Sequence, residues 1–190
     1  MDEKKLVNFL YETGQLKRVK RSGWWLEGVK EPESVAEHSY RTAIIGYFLA
    51  KIEGADANKT ALMCLFHDIH ETRTNDSHKL AQRYFKLEEG EKECLNEQFS
   101  MLGNEGKELF SLLNGLGDEK TKESVIAKEA DLLEDALQAK EYYEIGHKTA
   151  IEHIRRIKKL LKLDSSKRIL KIIEENSAYG WFKELKKLER

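Results

Sequence analysis

Proline occurs once in this chain, at position 32, and no stretch sustains an apolar/polar alternation of period two. A half-buried strand alternates with that period, and proline is the residue that most often interrupts a helix. A chain with neither signal has little to fold into except helices. Glycine is modest at 12 residues, while Leu, Glu, Lys and Ala, all good helix formers, are common. The expected fold class is all-α: a compact single-domain helical bundle, with a core over about residues 5–145 and helices from 146–190 packing on it.

The predicted order starts with a short helix over 3–13, ending at Gly14. Residues 15–33 do not read as helix; they hold a basic run (Lys17, Arg18, Lys20, Arg21), then Ser22-Gly23-Trp24-Trp25, then Pro32. Ser34-Val35-Ala36-Glu37 is an S-x-x-E capping box. The helix it opens carries Tyr40, Ala43, Ile44, Tyr47 and Phe48 on one stripe and Ile45, Leu49 and Ile52 on a second, so it is expected to be mostly buried before Gly54 ends it. Asn58 is a candidate cap for a third helix, with a polar loop from Thr72 to His78 after it. Short helices are expected over 79–85, 88–102 and 105–114, broken near Gly90, Gly103 and Gly115-Gly117, then a long helix over 119–145 with Val125, Ile126, Ala130, Leu133 and Leu137 facing the core. A further helix reaches about Leu163, Ser165 can cap one more, and Trp181-Phe182 is expected to close the chain as a small apolar anchor.

Charge narrows the function. Charged residues make up 35% of the chain, but 33 basic and 34 acidic side chains leave a net charge of −1. Bulk attraction to nucleic acid needs a field of one sign, so nucleic acid is not the expected partner. The apolar runs are too short to span a bilayer, the N-terminus lacks the apolar stretch of a signal peptide, and Cys64 and Cys94 make no disulfide framework. The expectation is a soluble cytoplasmic protein.

The most unusual local chemistry is His67-Asp68-x-x-Glu71 at the end of an apolar helix. Neighbouring helical residues point about 100° apart, so a cation off the helix can take a nitrogen from one and an oxygen from the other. Glu71, four residues beyond His67, shares its face and is placed as a base rather than a further ligand. His38 near the start of its own helix is a candidate third ligand. Imidazole with carboxylate suits Mn²⁺, Co²⁺, Fe²⁺ or Ni²⁺ ahead of Mg²⁺ or Zn²⁺. Taken singly, each residue has a plainer reading: His38 as a satisfied core histidine, the His67-Asp68 pair as chance, Asp131 as a solvated acid beside Lys128, Asp135 and Gln138.

The joint order His38…His67-Asp68…Asp131 resembles the HD-domain phosphohydrolases, and within them the 5′-deoxynucleotidase branch. The resemblance is carried by Arg21-Ser-Gly-Trp24, Pro32-Glu-Ser-Val-Ala-Glu-His38-Ser, Leu65-Phe-His67-Asp68-x-x-Glu71, Asp76 and Ala127-Lys-Glu-Ala-Asp131-Leu-Leu-Glu-Asp-Ala-Leu-Gln138, over about residues 5–145. It implies one divalent cation held by His38, His67, Asp68 and Asp131, with a nucleoside 5′-monophosphate docked on it. It implies Glu71 orienting or deprotonating the attacking water, Asp76 assisting proton transfer at the ester oxygen, Arg21 contacting the phosphate, and Trp24 or Trp25 shaping the pocket near the sugar. A homodimer is expected from the resemblance and from the apolar surplus on several helices.

After Asp76 the chain reads Ser77-His78-Lys79 where bacterial members of that branch carry Leu-Pro, and His70 is extra. Substrate selection in this region therefore transfers less firmly than the hydrolytic chemistry. Two other functions compete: another HD activity, on a deoxynucleoside triphosphate or a phosphodiester, and a helical nucleic-acid-binding or regulatory module. The last rests on residues 153–171, where Arg155, Arg156, Lys158, Lys159, Lys162, Lys167, Arg168 and Lys171 stand out; the plainer reading is a solvated helix face or a subunit contact.

Overall fold

The computed structural model describes residues 2–183 and 185. Among these there are nine α-helices, short 3-10 turns and, in place of a sheet, one isolated bridge between Lys20 and Ser34. Residues 184 and 186–190 of the expected C-terminal packing lie outside the described residues.

Local chemistry sets most helix ends. Asp2 accepts from the backbone of Lys4 and Lys5 to open α1 (Glu3–Thr13). The capping box forms in full: Ser34 accepts from the Glu37 N–H, Glu37 accepts from the Ser34 N–H, and α2 (Val35–Glu53) runs until Gly54 turns left-handed at φ 66°. α3 (Ala57–Phe66) starts earlier than expected because Asp56, not Asn58, is its cap, accepting from the Lys59 N–H. A tight turn over 67–70 leads into the short α4 (Glu71–Thr74), where a loop was expected from Thr72. Residues 79–85 give only a 3-10 turn, Ala81–Arg83. Gly90 sits inside α5 (Glu88–Ser100) rather than before it, in the first turn where backbone N–H groups lack intrahelical partners anyway. α6 (Asn104–Asn114) and α7 (Lys122–Glu144) follow, the latter capped by Thr121. The last helices are α8 (Ile151–Ile157) and α9 (Asp164–Glu175). Ser165 does not cap α9; it lies within it, and its hydroxyl donates to Glu53 at 2.5 Å.

α2, α3 and α7 make the centre, and α8 and α9 pack on α7. Leu49, Ile126, Leu133, Ile154, Ile157 and Leu170 fill the space between them. A second cluster, with Phe9, Val35, Ile69 and Phe99, joins α1 and α5 to the near side of α2. Each such side chain contributes roughly 1.5–3 kcal/mol by leaving water. At Gly46 a Cβ would stand 2.5 Å from the Cys64 sulfur, so a larger residue would force the Cys64 side chain or the α2–α3 spacing to shift.

Two expectations about packing fail as well. α2 is not buried on both sides: Tyr40, Ile44, Phe48 and Ile52 are exposed, with Tyr40 at 67% and Phe48 at 61%, because α3 and α7 both pack on its other side. Trp181 and Phe182 do not anchor the chain; both are exposed and contact each other edge-on. No helix of the described residues is long and apolar enough to cross a membrane.

Candidate metal centre

His38 lies just beyond the capping box in the first turns of α2, His67 and Asp68 lie directly after α3, and Asp131 lies in the middle of α7. The close α2–α3 and α2–α7 packing turns these side chains toward one point. His38 Nε2 is 3.2 Å from His67 Nε2, 3.3 Å from Asp131 Oδ1 and 3.7 Å from Asp68 Oδ2. His67 Nε2 is 3.1 Å from Asp68 Oδ2 and 3.9 Å from Asp131 Oδ1. The plainer reading of Asp131 as a solvated acid does not fit its surroundings, since its side chain is only 19% exposed.

Both imidazoles are held from behind. His67 Nδ1 is 2.7 Å from the Cys64 carbonyl oxygen, which can only accept, so Nδ1 carries the hydrogen and Nε2 presents its lone pair. His38 Nδ1 faces the Glu134 carboxylate at 2.5 Å, with both side chains fully buried. Two lone pairs and two carboxylates thus converge, a donor set that fits a first-row divalent ion. Glu71 Oε2 is buried without a hydrogen-bond partner, and such an atom in a native site calls for a water or a cation.

The electrostatics show how strongly these carboxylates demand positive charge. Burial works against the charge on Asp68, but His67, His38 and Arg21 hold it well below the ordinary carboxylate range. Burial likewise opposes Asp131, and Lys128, 2.8 Å from its outer oxygen, and the two imidazoles hold it low. Burial and Arg21 oppose a proton on His38, yet Asp131 and Glu134 raise it to about 10, so a proton competes with a cation for the Nε2 lone pair. Burial pushes Glu71 up to about 10, helped by the charges of Asp68 and Asp76.

The outer residues divide. Arg21 Nη1 stands 3.7 Å from both Asp68 Oδ2 and Asp76 Oδ1. Asp76 is anchored by Ser22, whose N–H and hydroxyl both donate to Oδ2, at 2.5 and 2.6 Å. Glu71 follows Asp68 by one turn, its N–H bonded to the Asp68 carbonyl. Of the two tryptophans, Trp24 does not join them. Trp24 is 2% exposed, stacked on His153 at 4.4 Å, edge-on to Tyr142 at 5.0 Å, with its indole N–H on Glu33. The expectation that it shapes the sugar pocket is corrected: protein covers it on every side. Trp25 lies at the surface of the same turn, 52% exposed. His70 turns to Thr74 of its own helical turn.

Sequence reasoning missed Glu134 and Ser22. Both stand inside motifs already noted, Glu134 after Asp131-Leu-Leu and Ser22 in Arg21-Ser-Gly-Trp24, but their partners His38 and Asp76 are distant in sequence. The basic segment proves largely neutralised: Arg156 pairs with Asp135 at 3.1 Å, Lys158 with Glu174 at 2.8 Å, Lys167 with Asp164 at 3.3 Å, and Lys162 and Arg155 with Glu119 and Glu152.

Known proteins share this architecture. A family model described as HD domain matches residues 13–153. The 5′-deoxynucleotidase HDDC2 of Dictyostelium discoideum is 34% identical over 150 residues, covering 74% of this chain and 79% of that protein. A conserved hypothetical protein from Pyrococcus furiosus is 32% identical, with a TM-score of 0.73 over 89% of this chain and 97% of its own. The cyanophage S-2L HD phosphohydrolase, solved with dA and one catalytic Zn²⁺ ion, shares the fold at 18% identity, a TM-score of 0.51 and coverage of 87% of this chain and 96% of that one. From His38 in α2 to Asp131 in α7, the centre lies within the matched span, and the chain belongs to the HD domain family.

Proposed function

We propose that this protein is a metal-dependent phosphohydrolase that cleaves deoxynucleoside 5′-monophosphates to nucleoside and phosphate. The observation that carries the reading is the convergence of His38 Nε2, His67 Nε2, Asp68 and Asp131 beside the Arg21 guanidinium. The relatives named 5′-deoxynucleotidase support the substrate class.

His38, His67, Asp68 and Asp131 would hold one divalent cation, with Mn²⁺, Co²⁺, Fe²⁺ or Ni²⁺ preferred for this donor set. When bound, such an ion polarises a phosphoryl oxygen, acidifies a water and opposes the burial and the carboxylate repulsion that together lift Glu71. Glu71 takes the proton of the attacking water, its free Oε2 being the unpartnered atom in the site. Arg21 holds phosphate oxygens in its planar fork. Asp76, with Oδ2 tied to Ser22, offers Oδ1 to relay to the departing 5′ oxygen the proton that Glu71 has taken from the water. The water oxygen bonds to phosphorus as the ester P–O bond breaks. Trp25 is the tryptophan left to line the sugar side.

The paired charges of residues 153–171 favour the solvated-face reading over nucleic-acid binding. α8 and α9 share the core of α7, which supports one domain over residues 1–190. The exposed Tyr40-Ile44-Phe48-Ile52 stripe supports a homodimer, and two free buried cysteines suit a cytoplasmic protein.

The test is phosphate release from 5′-, 3′- and deoxynucleoside monophosphates by metal-stripped protein reloaded with Mn²⁺, Co²⁺, Ni²⁺, Mg²⁺ or Zn²⁺, with Asp68→Ala as control. Metal-dependent release from deoxynucleoside 5′-monophosphates, absent in the control, is the expected result. Silence on monophosphates with release from triphosphates or diesters would overturn the substrate assignment.

A further inference from the structure

The two nitrogens of His38 face different surroundings. Nε2 looks into the ligand cluster, while Nδ1 meets Glu134 Oε2 at 2.5 Å. Glu134 is three residues beyond Asp131 on α7, so one helical face supplies both a ligand and the group behind another ligand. Its second oxygen is also engaged: Arg41 Nε reaches Oε1 at 2.8 Å. Arg41 in turn donates to Glu141 at 2.6 Å and to Gln138 at 2.7 Å, so its guanidinium is fixed from α7 on every nitrogen.

We infer that Glu134, clamped by Arg41, is a positioning residue that sets the tautomer and the aim of His38 toward the cation. The inference rests on the reading of His38 as a ligand. A neutral imidazole carries one ring hydrogen, and only the Nδ1–H form leaves the Nε2 lone pair for an ion. A carboxylate behind Nδ1 selects that form, stops the ring from turning and makes the ligand more electron-rich. A buried carboxylate alone would be costly, and the Arg41 charge on its far oxygen offsets that cost. His67 is held by a neutral carbonyl instead, so the two imidazoles are unequal donors.

The experiment measures Co²⁺ affinity of metal-stripped full-length protein by competition with a coloured chelator, after circular dichroism has shown each variant folded. Glu134→Leu removes the acceptor at similar volume, and its affinity is expected to fall about 10–100-fold. Glu134→Gln keeps a carbonyl oxygen for Nδ1–H and is expected to recover most of that loss, which a merely space-filling role would not produce. Arg41→Gln, at the partly exposed end, is expected to fall in the same direction by less, and keeps the measurement available if Glu134→Leu does not fold. Wild-type affinity in every folded variant overturns the inference. His38→Ala separates the two claims: if it too binds Co²⁺ normally, His38 is no ligand and the site reading fails; if it alone loses the ion, only the role of Glu134 falls.

Discussion

Asp131 and Asp135 stand one turn apart on α7, each close to a histidine, yet their surroundings differ in kind. Asp135 meets His153 Nδ1 at 3.1 Å and Arg156 at 3.1 Å, and His153 is completed by Glu27 at 3.6 Å and by the face of Trp24. That group has an acid for every base and is closed. Around Asp131 the carboxylates of Asp68, Glu71 and Asp76 crowd together, and two imidazole nitrogens face each other at 3.2 Å. Arg21 and Lys128 offset only part of that charge, and the remainder tightens the hold of His38 and Glu71 on their protons. A His–Asp contact is therefore no mark of chemistry by itself. The mark is a set of donor atoms turned inward, each pinned from behind, with their charge incompletely balanced.

The largest expected difference is in turnover. Asp68→Ala should lower metal-dependent phosphate release by about 10²–10³-fold or more, the range for losing a main electrostatic group, whereas His153→Ala should keep the rate within roughly tenfold of wild type. Equal losses in a steady-state assay would break the contrast. Next comes the stability given by the ion. A divalent ion at a hundred times its Kd should add about 2.7 kcal/mol in urea unfolding. That gain should vanish in Asp68→Ala and persist in His153→Ala. His153→Ala itself should lose about 1–3 kcal/mol with or without chelator, because it leaves Asp135 short of a buried partner; a chelator-dependent loss would place His153 in the other cluster. Smallest are the tryptophans. Trp24→Phe, which drops the bond to Glu33, should cost about 1 kcal/mol by thermal melting, and Trp25→Ala no more than about 0.5 kcal/mol while raising KM for the monophosphate.

What could be read from sequence was what is decided locally. Ser34 and Glu37 settle the start of α2 between themselves, and Gly54 settles its end. The order of His38, His67, Asp68 and Asp131 was legible as a pattern, but their spacing in space depends on Gly46 letting α2 approach α3, which no local window contains. Trp24 looked like a pocket residue because its covers, Tyr142 and His153, lie far along the chain. The stripe from Tyr40 to Ile52 looked like core because apolarity does not say which face a neighbour will cover. Helix caps erred where two capable residues stood close, as Asp56 and Asn58 do.

The excursion between Lys20 and Ser34 is tied at its neck. The Arg21 N–H bonds to the Glu33 carbonyl at 3.0 Å, and the Val35 N–H bonds to the Val19 carbonyl at 2.9 Å. Arg21 and the start of α2 are thereby registered against each other by backbone, whatever the intervening residues are. Beyond the Trp24 anchor, the tip at Lys30 and Glu31 is exposed. A change of length or identity at that tip is expected to leave Arg21 and His38 in place, at a closure cost that grows only slowly with length. The neck, with Trp24 and Val29 seated in the core, makes the register of Arg21 and His38 independent of the exposed tip.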